Sequence, residues 1–213
     1  MLFQSYIFIL LFFPLCLLGF WGLKRQKLLQ LWLIAFSLWF YGAASPYYLL
    51  LLLGSIAWNY TFFRAIERGI WRVTERVSGS AMERAEYGME RDSSRKGLLL
   101  GIGIAGNLAL LCFFKYFNAI SAGWSQMKGL EDPILQLALP LGISFFTFQQ
   151  IGFLADAYKG EVGACSLREY VLFVSFFPYV SSGPIVNAQE MLPQYRQIGR
   201  QRLDWEKFAG GQI

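Results

Sequence analysis

Two side chains on one apolar stretch carry the clearest chemical signal. Gln149 and Asp156 stand seven residues apart, which places them on the same face of a helix two turns apart. A carboxylate and an amide held at membrane depth cost energy unless they are paired or working, so that face is expected to look into a bundle interior or a cavity. A second reading stays open for Asp156, which lies near the end of its stretch and would there be solvated. Lys115, in Phe113-Phe-Lys-Tyr-Phe117, is a cation inside another apolar stretch. It either faces a pathway or snorkels to the interface. Ser182 precedes Gly183-Pro184, where a broken helix would expose backbone groups to a substrate. Lys115, Gln149, Asp156 and Ser182 are therefore the candidate pathway or substrate-facing residues. None is assigned a catalytic role, and no cofactor or metal set is expected.

The elements that position these residues are apolar blocks. Of 213 residues, 55% are hydrophobic and only 15% charged, with a mean hydropathy of +0.40. Blocks approaching 20 apolar residues read as membrane helices, and their lack of alternation excludes barrel strands. The expected class is all-α, a polytopic membrane protein of about five to six spans with one amphipathic interfacial helix. Spans are expected near Gln4–Gly22, Leu28–Gly42, Tyr47–Phe63, Gly97–Asn118 and Leu139–Tyr158. Pro46 suits the first turn of a helix, where its missing N–H is not needed. The last apolar run, Tyr170–Val186, contains Pro178, Gly183 and Pro184 and is expected to be broken or re-entrant. No charge precedes the first block, and Trp21 and Lys24 occupy the place of a cleavage site, so that block reads as a retained span.

Charge gives the expected sidedness. Lys24, Arg25 and Lys27 lie in the first loop, and eight Lys/Arg fall within Arg64–Lys96, whereas the Gly42–Pro46 turn has none. The positive-inside rule then puts the N-terminus outside and the loops at 24–27, 64–96 and 159–168 in the cytoplasm. Within the 64–96 interval Ile66, Ile70, Val73 and Val77 form a helical seam opposite Arg64, Arg68, Arg72 and Arg76. This is the expected interfacial helix on lipid headgroups; a solvated helix packing its seam on the spans is the alternative. Six acids in the same interval, and a net charge explained by topology, argue against nucleic acid as a partner. Three unpaired cysteines give no disulfide framework, and Cys16 and Cys112 read as small buried apolar residues.

Two motifs are decoys. Gly101-Ile-Gly103-Ile-Ala-Gly106 has the letters of a dinucleotide fingerprint but sits inside an apolar block, where small residues serve close helix packing. Asn59-Tyr-Thr61 has the letters of a glycosylation site within a span and reads as incidental.

A family resemblance emerges from the later motifs. Leu139-Pro-Leu-Gly-Ile-Ser-Phe-Phe-Thr-Phe148 and Asp156-Ala-Tyr-Lys-Gly160, followed by Phe176-Phe-Pro178, Gly183-Pro-Ile185 and Leu192-Pro-Gln194, resemble the membrane-bound O-acyltransferase family. Phe114-Lys-Tyr116 resembles its bacterial alginate O-acetylation branch. The resemblance implies that residues 1–213 are the N-terminal part of a single transmembrane domain, with its motif region at 137–194. It implies transfer of an acyl group, expected to be acetyl, to hydroxyls of an exported or cell-envelope polysaccharide such as alginate, in a bacterial inner membrane. D-alanyl transfer to teichoic acid, and a non-catalytic role in polysaccharide synthesis or export, are the alternatives. The family's presumed general base is a histidine in its later half, suited by an imidazole that titrates near neutrality. This chain has no histidine. The expectation is a truncated or split enzyme, inactive alone, whose partners are lipids, a C-terminal catalytic half and other O-acetylation proteins. The acyl donor is left unassigned.

Overall fold

A computed structural model describes residues 6–23, 25–77, 82–128, 137–180 and 186–198, with the backbone alone given for 69–77, 82–93, Gln126 and Val180. Among these residues the secondary structure is helical throughout, as the unbroken apolar blocks require when backbone groups must pair within their own segment. Helix α1 covers Phe8–Gly22, its opening Phe8–Phe12 π-wound. It is followed by α2 (Gln26–Ala44), α3 (Pro46–Val77), α4 (Met82–Met127), α5 (Ile143–Lys159), α6 (Leu167–Ser175), the single turn α7 (Phe177–Val180) and α8 (Ala188–Gln197).

Three helical stretches are long and apolar enough to cross a membrane: Gln26–Ala44, Pro46–Arg68 and Ser94–Ser125. The expected first span is a shorter apolar helix, and the expected fifth is the 17-residue α5. At 1.5 Å per residue α5 is about 26 Å long, close to a hydrocarbon thickness of about 30 Å. It starts at Ile143 rather than near Leu139 because Gly142, at φ 68°, reverses the chain just before it. The Pro140 carbonyl accepts from the Ile143 amide across that turn.

The helices form a run of antiparallel neighbours. Phe12 meets Phe36 and Phe8 meets Phe40 between α1 and α2. The α2–α3 connection is a single residue, Ser45, and Pro46 opens α3 as expected. Trp58 lies against Gly106, and Phe62 and Leu154 against Gly103, so α4 runs between α3 and α5 and opposite to both. An added Cβ on Gly106 would stand 2.8 Å from the Trp58 indole nitrogen, and one on Gly103 would stand 2.9 Å from Leu154. The close-packing role expected of the glycine run is therefore carried by Gly103 and Gly106. Gly101 meets nothing within 4 Å.

The seam at Ile66–Val77 is helical, but it is the continuation of α3 rather than a separate element. No proline follows Pro46 before Val77, and the helix runs through Gly54 and Gly69 without a break. The last apolar run is broken as expected, at Phe176 between α6 and α7. Cys16 and Cys165 are buried, whereas Cys112 is exposed, because its side of α4 has no neighbour among the described helices.

Hydrogen bonds and one ion pair tie the segments together at each end of the bundle. Gln30 donates to the Tyr195 carbonyl at 2.9 Å, Arg196 pairs with Glu169, and the Tyr60 hydroxyl donates to the Cys165 carbonyl at 3.4 Å. These contacts gather the start of α2, the outer part of α3 and the 159–168 loop at one end. At the other end Tyr48 donates to the Ala138 carbonyl at 2.8 Å, and Asn118 brackets Leu137 with two hydrogen bonds.

Candidate functional site

The face shared by Gln149 and Asp156 lines a cavity of about 200 Å³. Its remaining walls are Phe148, Gly152 and Phe153 of α5, Phe173 of α6, and Val186, Asn187 and Ala188 where α8 begins. Seven-residue spacing on α5 sets the two polar groups in line, and Gly152 between them leaves the helix surface bare. Gln149 is 3% exposed, and its amide NH2 donates to the Phe173 carbonyl at 3.0 Å. That bond fixes which end of the amide is oxygen. The buried Gln149 Oε1 and the buried Thr147 hydroxyl have no partner among the described residues.

Gln150, one residue on, is fully buried and belongs to a different assembly. The Tyr170 hydroxyl donates to Gln150 Oε1 at 3.2 Å, and Gln150 Nε2 donates to the Ser55 hydroxyl at 3.0 Å. Beyond Ser55 come Asn59 and Asn107, whose amides donate to each other at 3.0 and 2.6 Å. Their second N–H groups go to the carbonyls of Ser55 and Gly103. All four amide hydrogens are therefore used, which is how such groups are tolerated between membrane helices. Ser55 and Asn107 also border a second cavity, of about 280 Å³, whose other walls are Leu51, Gly54, Trp58, Gly106 and Leu110.

The other expected site residues lie elsewhere. Lys115 is exposed on α4, its ammonium 6.0 Å from the Tyr116 ring centroid, and the antiparallel pairing puts it toward the opposite end of the bundle from Asp156. Ser182, with Gly183 and Pro184, lies outside the described residues. Sequence reasoning missed the Asn59–Asn107 pair and Gln150's link to Tyr170. Asn107 inside the Gly-rich block was the available signal for the first. Asn59, set aside as an incidental acceptor motif, has 0% exposure and so no route to modification.

A clamp closes the cavity end of the bundle. Ser166 and Glu169 form a capping box at the start of α6, and the same Glu169 accepts from Arg196 of α8 at 2.9 Å. Burial raises the Glu169 carboxyl, but hydrogen bonds from Arg196 and Ser166 outweigh it and hold the group below its ordinary 4.5. Gln189 donates to Glu161 at 2.9 Å at the other end of α8. Beneath the clamp, burial first and the nearby Glu169 second push the Cys165 thiol up to about 12. Among the described residues no group of His, Cys, Asp and Glu could hold a metal ion.

No protein-family profile and no solved structure matches the chain. Curated proteins do. A peptidoglycan O-acetyltransferase of Helicobacter pylori is 32% identical over 99% of this chain and 42% of its own length. A probable alginate O-acetylase AlgI of Pseudomonas putida is 31% identical over 92% of this chain and 37% of its own length. A teichoic acid D-alanyltransferase of Lacticaseibacillus rhamnosus is 31% identical, but over only 27% of this chain. The chain thus spans 42% of the length of the first relative and less of the second. With likeness to these O-acetylating relatives sustained over 99% and 92% of its length, this chain belongs to the membrane-bound O-acyltransferase family.

Proposed function

We propose that the chain is part of a bacterial inner-membrane enzyme that transfers an acetyl group to hydroxyls of an exported or cell-envelope polysaccharide. The observation that carries this reading is the sustained likeness to O-acetylating relatives, over 99% and 92% of the chain. An alcohol is a weak nucleophile and needs a base to take its proton as the ester bond forms. The chain has no histidine for that task, so the base is proposed to come from length that the relatives have and this chain does not cover. The basic loops and the end of the bundle that carries them are assigned to the cytoplasm, with the N-terminus outside.

The test is genetic and chemical. Deleting the gene in its source organism is expected to lower the ester-linked acetate that mild alkali releases from the cell-envelope and exported polysaccharide, and restoring the gene should recover it. Unchanged acetate would sink the reading. The 213-residue chain alone, in vesicles with candidate donors and acceptors, is expected to give no transfer.

A further inference from the structure

The cavity on the Gln149–Asp156 face has a lopsided chemistry. Its charged contribution is the Asp156 carboxylate; the Gln149 amide gives one N–H to the Phe173 carbonyl and keeps an unpartnered oxygen, and the Asn187 oxygen accepts from the Gln189 amide. Among the described residues the Asp156 carboxylate has no hydrogen bond or ion pair. Three phenyl rings, Phe148, Phe153 and Phe173, are among the remaining lining residues. Among the described residues, the charges that act on Asp156 are Glu161 and Lys159, both just beyond the cavity lining. Over Gly152 the surface is open: an added Cβ would meet nothing within 4 Å.

Such a surface selects its ligand. A carboxylate attracts a cation and accepts from its N–H groups, and ring faces favour a cation over an anion. A small cavity with mostly apolar walls suits an aliphatic stem behind the charged head. We propose that this cavity binds a primary ammonium on a short aliphatic stem, its head at Asp156 and its stem lying over Gly152 toward Gln149. The two polar groups are separated by two helical turns, about 10 Å, a reach that a six-carbon stem largely covers. The ammonium could belong to a soluble alkyl amine or to an ethanolamine lipid headgroup; both share the contact at Asp156, and the headgroup's two-carbon stem would stop short of Gln149.

The proposal does not depend on acyl transfer, so its test reads binding rather than activity. The protein is placed in nanodiscs of choline lipids, and its unfolding temperature is followed against hexylammonium, hexanol and hexyltrimethylammonium. Hexylammonium is expected to stabilise it with an apparent affinity roughly tenfold tighter than hexanol's, and tighter than that of the N–H-free trimethyl analogue. Asp156→Asn should erase the difference between amine and alcohol. Gly152→Leu, which fills the groove and leaves the carboxylate in place, should abolish the amine's effect and guards against a folding defect in the first variant. Equal effects of amine and alcohol, or an amine preference that persists in Asp156→Asn, would overturn the proposal. Repeating the titration in ethanolamine-lipid discs assigns the source. A lost response means that the lipid already fills the site, and a retained response means a soluble amine; either result keeps the site.

Discussion

Asn59 and Asn107 show how a polar residue survives between membrane helices. Each amide satisfies the other and a carbonyl on its own helix, so neither depends on water. Removing one partner strands the other. Asn107→Leu is therefore expected to destabilise the protein by about 1–3 kcal/mol in a thermal melt. The Asn59→Leu/Asn107→Leu double variant should cost less than the sum of its two singles, since it leaves no orphan. Gln149 and Asp156 were legible as a pair because a helix repeats every 3.6 residues, and their shared face does line one cavity. The Asn pair was not legible, because pairing across helices 48 residues apart depends on a register that spacing within one helix does not encode.

The α3–α4 contact and the α8 clamp are the elements most open to test. Gly106→Ala would push a methyl to within 3 Å of the Trp58 ring and is expected to cost about 1–3 kcal/mol, whereas Gly101→Ala should be close to neutral. The clamp should respond to acid. Because folding lowers the Glu169 pKa, its contribution is present above the ordinary value of 4.5 and is lost as pH falls through the lower folded value. Hydrogen exchange in residues 188–197 should therefore quicken, relative to α5, only below about pH 4.5. Glu169→Gln should show quickened exchange at neutral pH and no further change in acid. Helix starts were readable at Pro46, where proline sets the first turn. The end of α3 was not: the change from apolar to charged residues near Arg64 marks where lipid contact should end, and a helix backbone is indifferent to that boundary. The same reasoning explains α5, whose apolar run began before its helix because Gly142 holds a left-handed turn inside it.

At the scale of the molecule, the proposed sidedness is the property most open to test. Gln30, Glu169 and Arg196 knit one end together, and the uncharged Gly42–Pro46 turn lies at the other. In a Cys112→Ser background, Ser45→Cys should react with an impermeant maleimide from outside intact cells, while Lys159→Cys should react only after the membrane is opened. The reverse pattern would invert the proposed topology. Cys165 should stay unlabelled in the folded protein from either side, since it is buried and its thiol is held protonated. The three membrane-length helices were legible because lipid imposes a length on every crossing helix. The break at Phe176 and the seating of α8 across the basic end depend on neighbours that no local pattern announces. The ladder that joins Tyr170, Gln150, Ser55 and the two asparagines has an electrical consequence. It crosses four helices through amides and hydroxyls alone. An amide neither takes up nor gives up a proton near neutrality. The side-chain amides of the ladder therefore keep the same charge across the neutral range, and their hold on the helices is expected to be insensitive to pH there.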